Sequence, residues 1–231
     1  MNASWWPPPW AHQLAELRID VHLPDTRIES ELEALELRSA VWKPQCEALP
    51  RLAGLPLRLK VMVRVAGGEH FVYVVDVLSQ RVVACVTMNR LSDLGHPANG
   101  HFRAPHTKVS MSHRRRGIAS GVYRWWLDSG ACLMTGARQS PAARGLWLAM
   151  SRHYPLSYVW LENKRLFPLG DVPPAGVLDR LNVRAVLLGQ GATLDTCLAQ
   201  WEQPGRQAPG GPPILPTTRV FRPRVPLVIG S

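Results

Sequence analysis

The segment from Leu57 to Leu91 contains three apolar runs joined by very short connections. The runs are "LRLKVMVRV", "FVYVVDVL" and "VVACVTM", separated by a Gly67-Gly68 turn and a Ser-Gln-Arg turn. Connections of two or three residues join only antiparallel strands. The segment therefore predicts an antiparallel three-stranded meander, which commits the middle of the chain to a sheet.

Strand and helix patterns then alternate downstream of the meander. "HTKVSMS" (106–112) predicts a fourth strand, and apolar residues at helical spacing predict a helix over 116–128. "ACLMTG" (131–136) predicts a short buried strand, and Ser140-Pro141 is a capping pair that begins another helix, which carries Ala143, Leu146, Trp147 and Met150 on one face. "LSYVWLENKRLFPL" predicts a strand or hairpin, and the segment that follows predicts one or two terminal helices.

The segment before the meander predicts one strand and one helix. "LRIDVHL" (17–23) alternates at period two, and "DTRIESELEALELRSAVW" has a buried stripe of Ile28, Leu32 and Leu35. Thr26 and Glu29 have the spacing of a capping box. The remaining face is rich in glutamate and is interpreted as solvated, rather than as an acidic surface that receives a cationic substrate.

These patterns predict an α/β fold and four regions along the chain: a Trp/Pro-rich N-terminal arm (1–15), one main domain (16–170), a helical extension (171–203) and a tail (204–231). The tail holds seven prolines and four arginines with no acidic residue, which predicts an extended conformation.

The formal net charge of +10 predicts a surface that attracts anions such as nucleic acid, a nucleotide cofactor or acidic lipid. The four cysteines are isolated and lie in apolar surroundings, which is typical of small core residues in a reduced protein. No run has the length of a membrane span, and we expect a soluble, cytoplasmic protein with no membrane partner.

The stretch "SHRRRGIAS" predicts an anion site. A strand that leads into a helix N-terminus leaves backbone N–H groups unpaired, and the helix dipole adds positive charge there. Gly117 has no Cβ at this point, and Ala119 gives the first helical turn only a small side chain. Donors that converge on one spot suit a pyrophosphate better than a DNA backbone.

Arg114-Arg115-Arg116-Gly117-Ile118-Ala119 resembles the R/Q-x-x-G-x-G/A motif of the GNAT acetyltransferase superfamily. Arg114, Gly117 and Ala119 match its three defining positions. The order of elements over roughly residues 57 to 167 is also similar to that family. The resemblance implies a mixed, mainly antiparallel central sheet flanked by helices, with one strand pair that splays apart to admit an acyl-CoA.

The resemblance further implies that acetyl-CoA, or another acyl-CoA, is the cofactor. Its pyrophosphate would bind the backbone N–H groups of residues 115 to 119, and its pantetheine would lie along the strand at Val109 to Met111. An amine acceptor, of undetermined identity, would then attack the thioester directly, assisted by a base and an acid.

The chain departs from the family pattern at the acid, because Trp147 stands where a tyrosine is usual. Ser140 and Tyr154 are substitute candidates, and His106 is a candidate base because histidine titrates near neutrality. His96, His101 and His106 recur every five residues, but a polar loop that happens to contain histidines is favoured over a metal site.

Two alternatives stay open. Leu146-Trp147 is similar to a phage-borne branch that includes the DNA-modification protein Mom, although Thr135-Gly136 replaces the Ser-Asp of that branch. The chain could therefore modify a nucleobase in DNA, aided by its basic charge and tail. The other alternative is a non-catalytic member of the fold that binds nucleic acid or a protein partner.

Overall fold

The structure is a computed structural model that describes residues 24–91, 102–172, 177 and 180–202. The expected N-terminal arm, the strand over 17–23, His96, His101 and the Pro/Arg-rich tail lie outside these residues. Within them the fold is α/β, with one nine-stranded, mostly antiparallel open sheet in the order β1-β2-β3-β4-β5-β6-β9-β7-β8. The strands are β1 Glu47–Ala48, β2 Leu59–Ala66, β3 Glu69–Asp76, β4 Val82–Asn89, β5 Phe102–Val109, β6 Cys132–Met134, β7 Leu156–Glu162, β8 Arg165–Gly170 and β9 Val183–Leu187.

Five α-helices accompany the sheet in the described part of the chain. They are α1 Asp25–Leu37, α2 Ser39–Trp42, α3 Ile118–Asp128, α4 Pro141–Met150 and α5 Leu194–Glu202. Single 3₁₀ turns cover Lys43–Gln45 and Met111–His113. None of these helices is both long and apolar enough to cross a membrane.

The meander is confirmed by β2, β3 and β4, which pair as consecutive antiparallel strands. The cap at Ser140 is also confirmed, because its Oγ accepts the Ala143 N–H at 3.2 Å and Pro141 begins α4. The hairpin is confirmed as β7 and β8. The local rules succeed here because each feature depends on neighbouring residues only.

The two faces of the sheet bury different helices, because alternate strand residues point to opposite sides. Val72 and Val74 pack in the main core with α3 and α4, whereas Tyr73 and Val75 pack with α1 and α2. Trp126, only 1% exposed, is the largest fully buried side chain and fixes α3 on its face. Helix α5 packs over β6 and β9 on the α1 face through Cys197.

One prediction about the C-terminal region is wrong in part. Residues 183–187 were expected to be helical, but they form β9, which is inserted between β6 and β7 and is antiparallel to both. The five-residue run is buried on both faces, so it has no period-two pattern, and a short apolar run of this kind cannot be distinguished from a helix by periodicity. The terminal helix itself is present as α5.

Candidate functional site

The loop between β5 and α3 has two residues in the left-handed region. After the 3₁₀ turn, Arg114 is extended, Arg115 has a φ of 56° and Gly117 has a φ of 75°. Gly117 is the N-cap of α3, and a Cβ there would lie 3.4 Å from the Gly54 carbonyl oxygen. Left-handed residues in such a loop turn successive N–H groups toward one point, which makes a concave anion site.

Six consecutive backbone N–H groups, those of residues 115–120, make no hydrogen bond to any described residue. The first N–H of this region with an acceptor is that of Gly121, which donates to Gly117 at 2.8 Å. We call these six groups the cradle. They carry the positive end of the α3 dipole, so the cradle favours a bound anion.

The three arginines divide into two kinds. Arg115 and Arg116 are exposed and form no ion pair within the described residues. The Arg114 side chain is engaged, because Nη2 lies 2.5 Å from Asp25 Oδ1 and Nε donates to the Val109 carbonyl at 3.3 Å. Arg114 therefore ties the loop to β5 and α1, and Arg115 and Arg116 remain for a ligand.

A gap opens between β5 and β6, the one parallel pair of the described sheet. The two strands pair only at Phe102 with Cys132 and at Arg103 with Leu133, so residues 104–109 have no partner on that edge. The Ser110 N–H donates to Val83 in β4 at 2.9 Å, so by alternation Thr107 and Val109 direct their main-chain groups into the gap. Pro105 fits this edge because it has no N–H to leave unpaired.

Carboxylates of α1 reach the end of β5, which the sequence did not reveal. Glu29 Oε1 accepts the Met111 N–H at 2.7 Å, and Glu31 pairs with Lys108. The predicted capping box is wrong, because α1 has no side-chain cap and Glu29 bonds to this distant loop instead. The interpretation of the glutamates as a solvated face is wrong for Glu29, Glu31 and Glu36, since Glu36 accepts the Val82 N–H at 2.8 Å.

His106 lies in the middle of β5, opposite Thr87 of β4, on the face that carries Lys108 and α1. Burial lowers the pKa of His106, and the positive charge of Lys108 lowers it further. His106 is therefore neutral at physiological pH, and its imidazole has a lone pair that can accept a proton. Its strand position borders the gap.

Ser140 and Tyr154 lie away from this region. Ser140 Oγ is used as the α4 cap. Tyr154 donates to Asp128 Oδ1 at 2.5 Å, and burial, followed by Asp128, raises its pKa to about 12. Asp128 ends α3, roughly 15 Å along the helix from the cradle, at 1.5 Å per residue. Tyr154 lines a cavity of about 420 Å³ with Arg124 and His153.

A hydroxyl pair that the sequence did not reveal lies beside the gap. Thr107 Oγ1 lies 3.1 Å from the Tyr123 hydroxyl, and burial raises the pKa of Tyr123 to about 12. Two hydroxyls that face each other share one proton, so the other proton of the pair has no acceptor among the described residues. The only sequence signal would have been a tyrosine within an apolar helix face.

No group of three or more metal-ligating side chains occurs within the described residues. Thr135 is committed to the sheet, because its N–H donates to Ala185 and its Oγ1 accepts the Ala185 N–H at 3.0 Å. Searches of protein-family models, curated proteins and solved structures find no match to this chain.

Proposed function

We propose that the protein is an acyl-CoA-dependent N-acyltransferase of the GNAT-like kind, which transfers an acyl group, in the simplest case acetyl, to an amine. The observation that carries the proposal is the cradle of six unpartnered N–H groups placed at the mouth of the β5–β6 gap. A ligand with a compact double anion at one end and a long neutral arm at the other matches this pair of features.

The cradle suits a pyrophosphate for electrostatic and geometric reasons. Its six N–H donors are consecutive and lie at the positive end of the α3 dipole, and Arg115 and Arg116 are exposed there. Arginine binds phosphate oxygens through paired N–H donors. Because Gly117 has no side chain, the space that a Cβ would occupy beside the Gly54 carbonyl stays free for a ligand.

The gap suits an amide-containing arm. Thr107 and Val109 direct main-chain groups into it and lack a strand partner on that side, although the Val109 carbonyl already accepts from Arg114 Nε at 3.3 Å. An extended ligand there would hydrogen-bond to β5 much as an added strand does. The cofactor would supply the activated acyl thioester, while the protein residues bind, orient and move protons.

His106 is the proposed base, which accepts a proton from the attacking amine at its imidazole lone pair. The protonated hydroxyl pair of Thr107 and Tyr123 is the proposed proton source on the other side of β5. These two groups replace Ser140 and Tyr154, which are distant or already engaged.

The test is the release of free thiol from acetyl-CoA in the presence of a panel of primary amines. We expect His106→Gln to lower kcat by about 10²- to 10⁴-fold with unchanged acetyl-CoA affinity, the usual effect of losing a base. Because the pKa of His106 is lowered, the acid limb of the wild-type kcat profile should lie below pH 6.5. His153→Gln, an exposed histidine beside Tyr154, is the matched control, and equal losses in both variants would exclude His106 as the base.

We also expect Glu29→Gln to strengthen acetyl-CoA binding. The Glu29 carboxylate accepts the Met111 N–H at 2.7 Å, next to the cradle. Its negative charge there would repel a bound phosphate. Glutamine keeps the size and the acceptor oxygen, so about a 3- to 10-fold gain in affinity should follow from removal of the charge.

Glu33→Gln is the matched control for that variant, since Glu33 is exposed on the same helix and forms no contact with the loop. Calorimetric titration of both variants with acetyl-CoA compares the two charges directly. A weaker affinity in Glu29→Gln alone would contradict the prediction and would mean that the carboxylate holds the loop in its binding shape.

A nucleobase in DNA remains the second candidate acceptor. The exposed Arg115 and Arg116 and the net charge of +10 would also attract a polyanion. Duplex affinity that falls steeply with salt, together with acetylated base after incubation with acetyl-CoA, would favour it over small amines. Binding of duplex without binding of acetyl-CoA would favour the non-catalytic alternative.

A further inference from the structure

A cluster of four polar residues next to the cradle is not used by the proposed transferase. Ser112 Oγ lies 2.8 Å from His113 Nδ1, and His113 Nε2 lies 3.4 Å from Asp76 Oδ2. Arg58 Nε also pairs with Asp76 Oδ2 at 3.3 Å. The cluster joins the 3₁₀ turn after β5 to the end of β3, so it is set by the sheet and not by one loop alone.

We infer that Ser112, His113 and Asp76 form a nucleophilic relay that gives the protein an esterase activity toward small carboxylic esters. Ser112 is the nucleophile, His113 is the base, and Asp76 is a positioning residue that holds the imidazole. The order hydroxyl, imidazole, carboxylate is the one that activates serine in unrelated hydrolases.

The burial of the three residues suits these roles. Ser112 is exposed and open to a substrate, whereas the side chains of His113 and Asp76 are only 11% and 6% exposed. The imidazole is therefore held in place while the nucleophile is accessible. The His113–Asp76 distance of 3.4 Å is long, as catalytic hydrogen bonds often are before a substrate binds.

The position of one proton decides whether the relay is active. With the proton on Nε2, His113 donates to Asp76, and Nδ1 can accept the Ser112 proton. In this state the neighbouring Ser110 hydroxyl, 3.1 Å from Ser112 Oγ, donates to Ser112. With the proton on Nδ1, His113 accepts at Nε2 from Arg58, whose Nη2 lies 3.3 Å away. The first state leaves both charges paired, because Arg58 still contacts Asp76 through Nε at 3.3 Å, whereas the second state turns the Nε2 lone pair toward the carboxylate. The Leu78 N–H, the largest cause, lowers the pKa of Asp76, which keeps this carboxylate ionised.

The proposed oxyanion donors are those of the cradle, which begins at Arg115, three residues after Ser112, and whose N–H groups make no hydrogen bond within the described residues. Such donors stabilise the negative oxygen that develops on an attacked carbonyl. In the reaction, Ser112 Oγ bonds to the acyl carbon, the bond to the leaving oxygen breaks, and the serine proton passes through His113 to that oxygen. Water then cleaves the acyl-serine by the same route and restores the hydroxyl.

The experiment treats the full-length protein, without CoA, with a fluorophosphonate probe and locates the label by peptide mass spectrometry. We expect labelling of Ser112 with loss of fluoride, no labelling of Ser112→Ala, and a rate about 10²- to 10⁴-fold lower in His113→Gln. Ser30→Ala, an exposed serine on α1 that donates only to the Arg27 carbonyl, should label at the wild-type rate.

A parallel assay follows p-nitrophenol release from p-nitrophenyl acetate, where a burst of about one equivalent should disappear in Ser112→Ala. An unlabelled wild type, a label on another residue, or an equal rate in Ser112→Ala would overturn the inference. Because Ser112 is exposed, its replacement should leave the fold intact, which circular dichroism verifies. The result is independent of acetyl-CoA binding, so either proposal can fail alone.

Discussion

Gly117→Glu is expected to weaken acetyl-CoA binding by at least about 100-fold, or roughly 2.7 kcal/mol. The substitution places a carboxylate in the cradle, where six N–H groups have no acceptor in the part of the chain that the structure describes. The new carboxylate would repel the phosphates, and it would also accept hydrogen bonds from the N–H groups of the cradle that the phosphates need. The left-handed φ of 75° adds about 1 kcal/mol of backbone strain. Calorimetric titration with acetyl-CoA measures the loss.

Gly67→Glu is the matched control for this variant. Gly67 also has a left-handed φ, 61°, and nothing lies within 4 Å of the Cβ that would be added. It occupies the β2–β3 turn, so the strain and the added charge are reproduced away from the cradle. Acetyl-CoA affinity should stay within about twofold of the wild type, and a comparable loss in both variants would mean that charge or stability, and not the cradle, is responsible.

Gly189→Ala is expected to lower the free energy of unfolding by about 3 kcal/mol, the upper range for overpacking. A Cβ on Gly189 would lie 2.5 Å from the Ala131 carbonyl oxygen and 2.5 Å from the Gly130 carbonyl carbon. Both are backbone atoms at the junction of α3 and β6, so no side-chain rotation can relieve the clash. In a domain of this size we expect Tm to fall by about 6–12 °C.

Gly191→Ala tests whether that effect comes from the clash. Gly191 lies two residues away and has a φ of 74°, but no atom lies within 4 Å of its added Cβ. Only the left-handed strain of about 1 kcal/mol should appear there. Thermal unfolding of both variants compares them, and an equal or greater loss in Gly191→Ala would contradict the structure around Gly189.

The parts of the fold that could be predicted are those set by local rules. Period-two runs and short turns predicted β2 to β4, and Ser140-Pro141 predicted the start of α4. Strand β9 could not be predicted in this way, because burial on both faces removes the alternation that marks a strand. Gly189 and Gly191, just after β9, were the sequence signal that a secondary-structure element ends there.

The candidate site was predictable only where its residues are contiguous. Residues 115–120 form the cradle because strand, loop and helix start follow one another in the sequence. The contact between Glu29 and Met111 joins residues 82 positions apart, and the contact between Asp76 and His113 spans 37. No local pattern reports such pairs, since they depend on how α1 and β3 lie against β5.

The position of Tyr154 in the fold likewise could not be predicted from local sequence. The sequence predicted its place at the end of a helix, but not which edge of the sheet that end would reach. Strands β5 and β6 are parallel, so the cradle follows the end of β5, whereas Tyr154 lies beside Asp128, just before β6 begins. The sheet order, which depends on all strands together, separates the two.

The most direct measurement of the central claim is a calorimetric titration of the wild-type protein with acetyl-CoA at low salt. If the cradle and gap hold an acyl-CoA, one equivalent should bind with a Kd in the micromolar range, about −8 kcal/mol. Absence of binding to protein that is folded by circular dichroism would contradict the claim and would leave the cradle as an anion site for a different ligand.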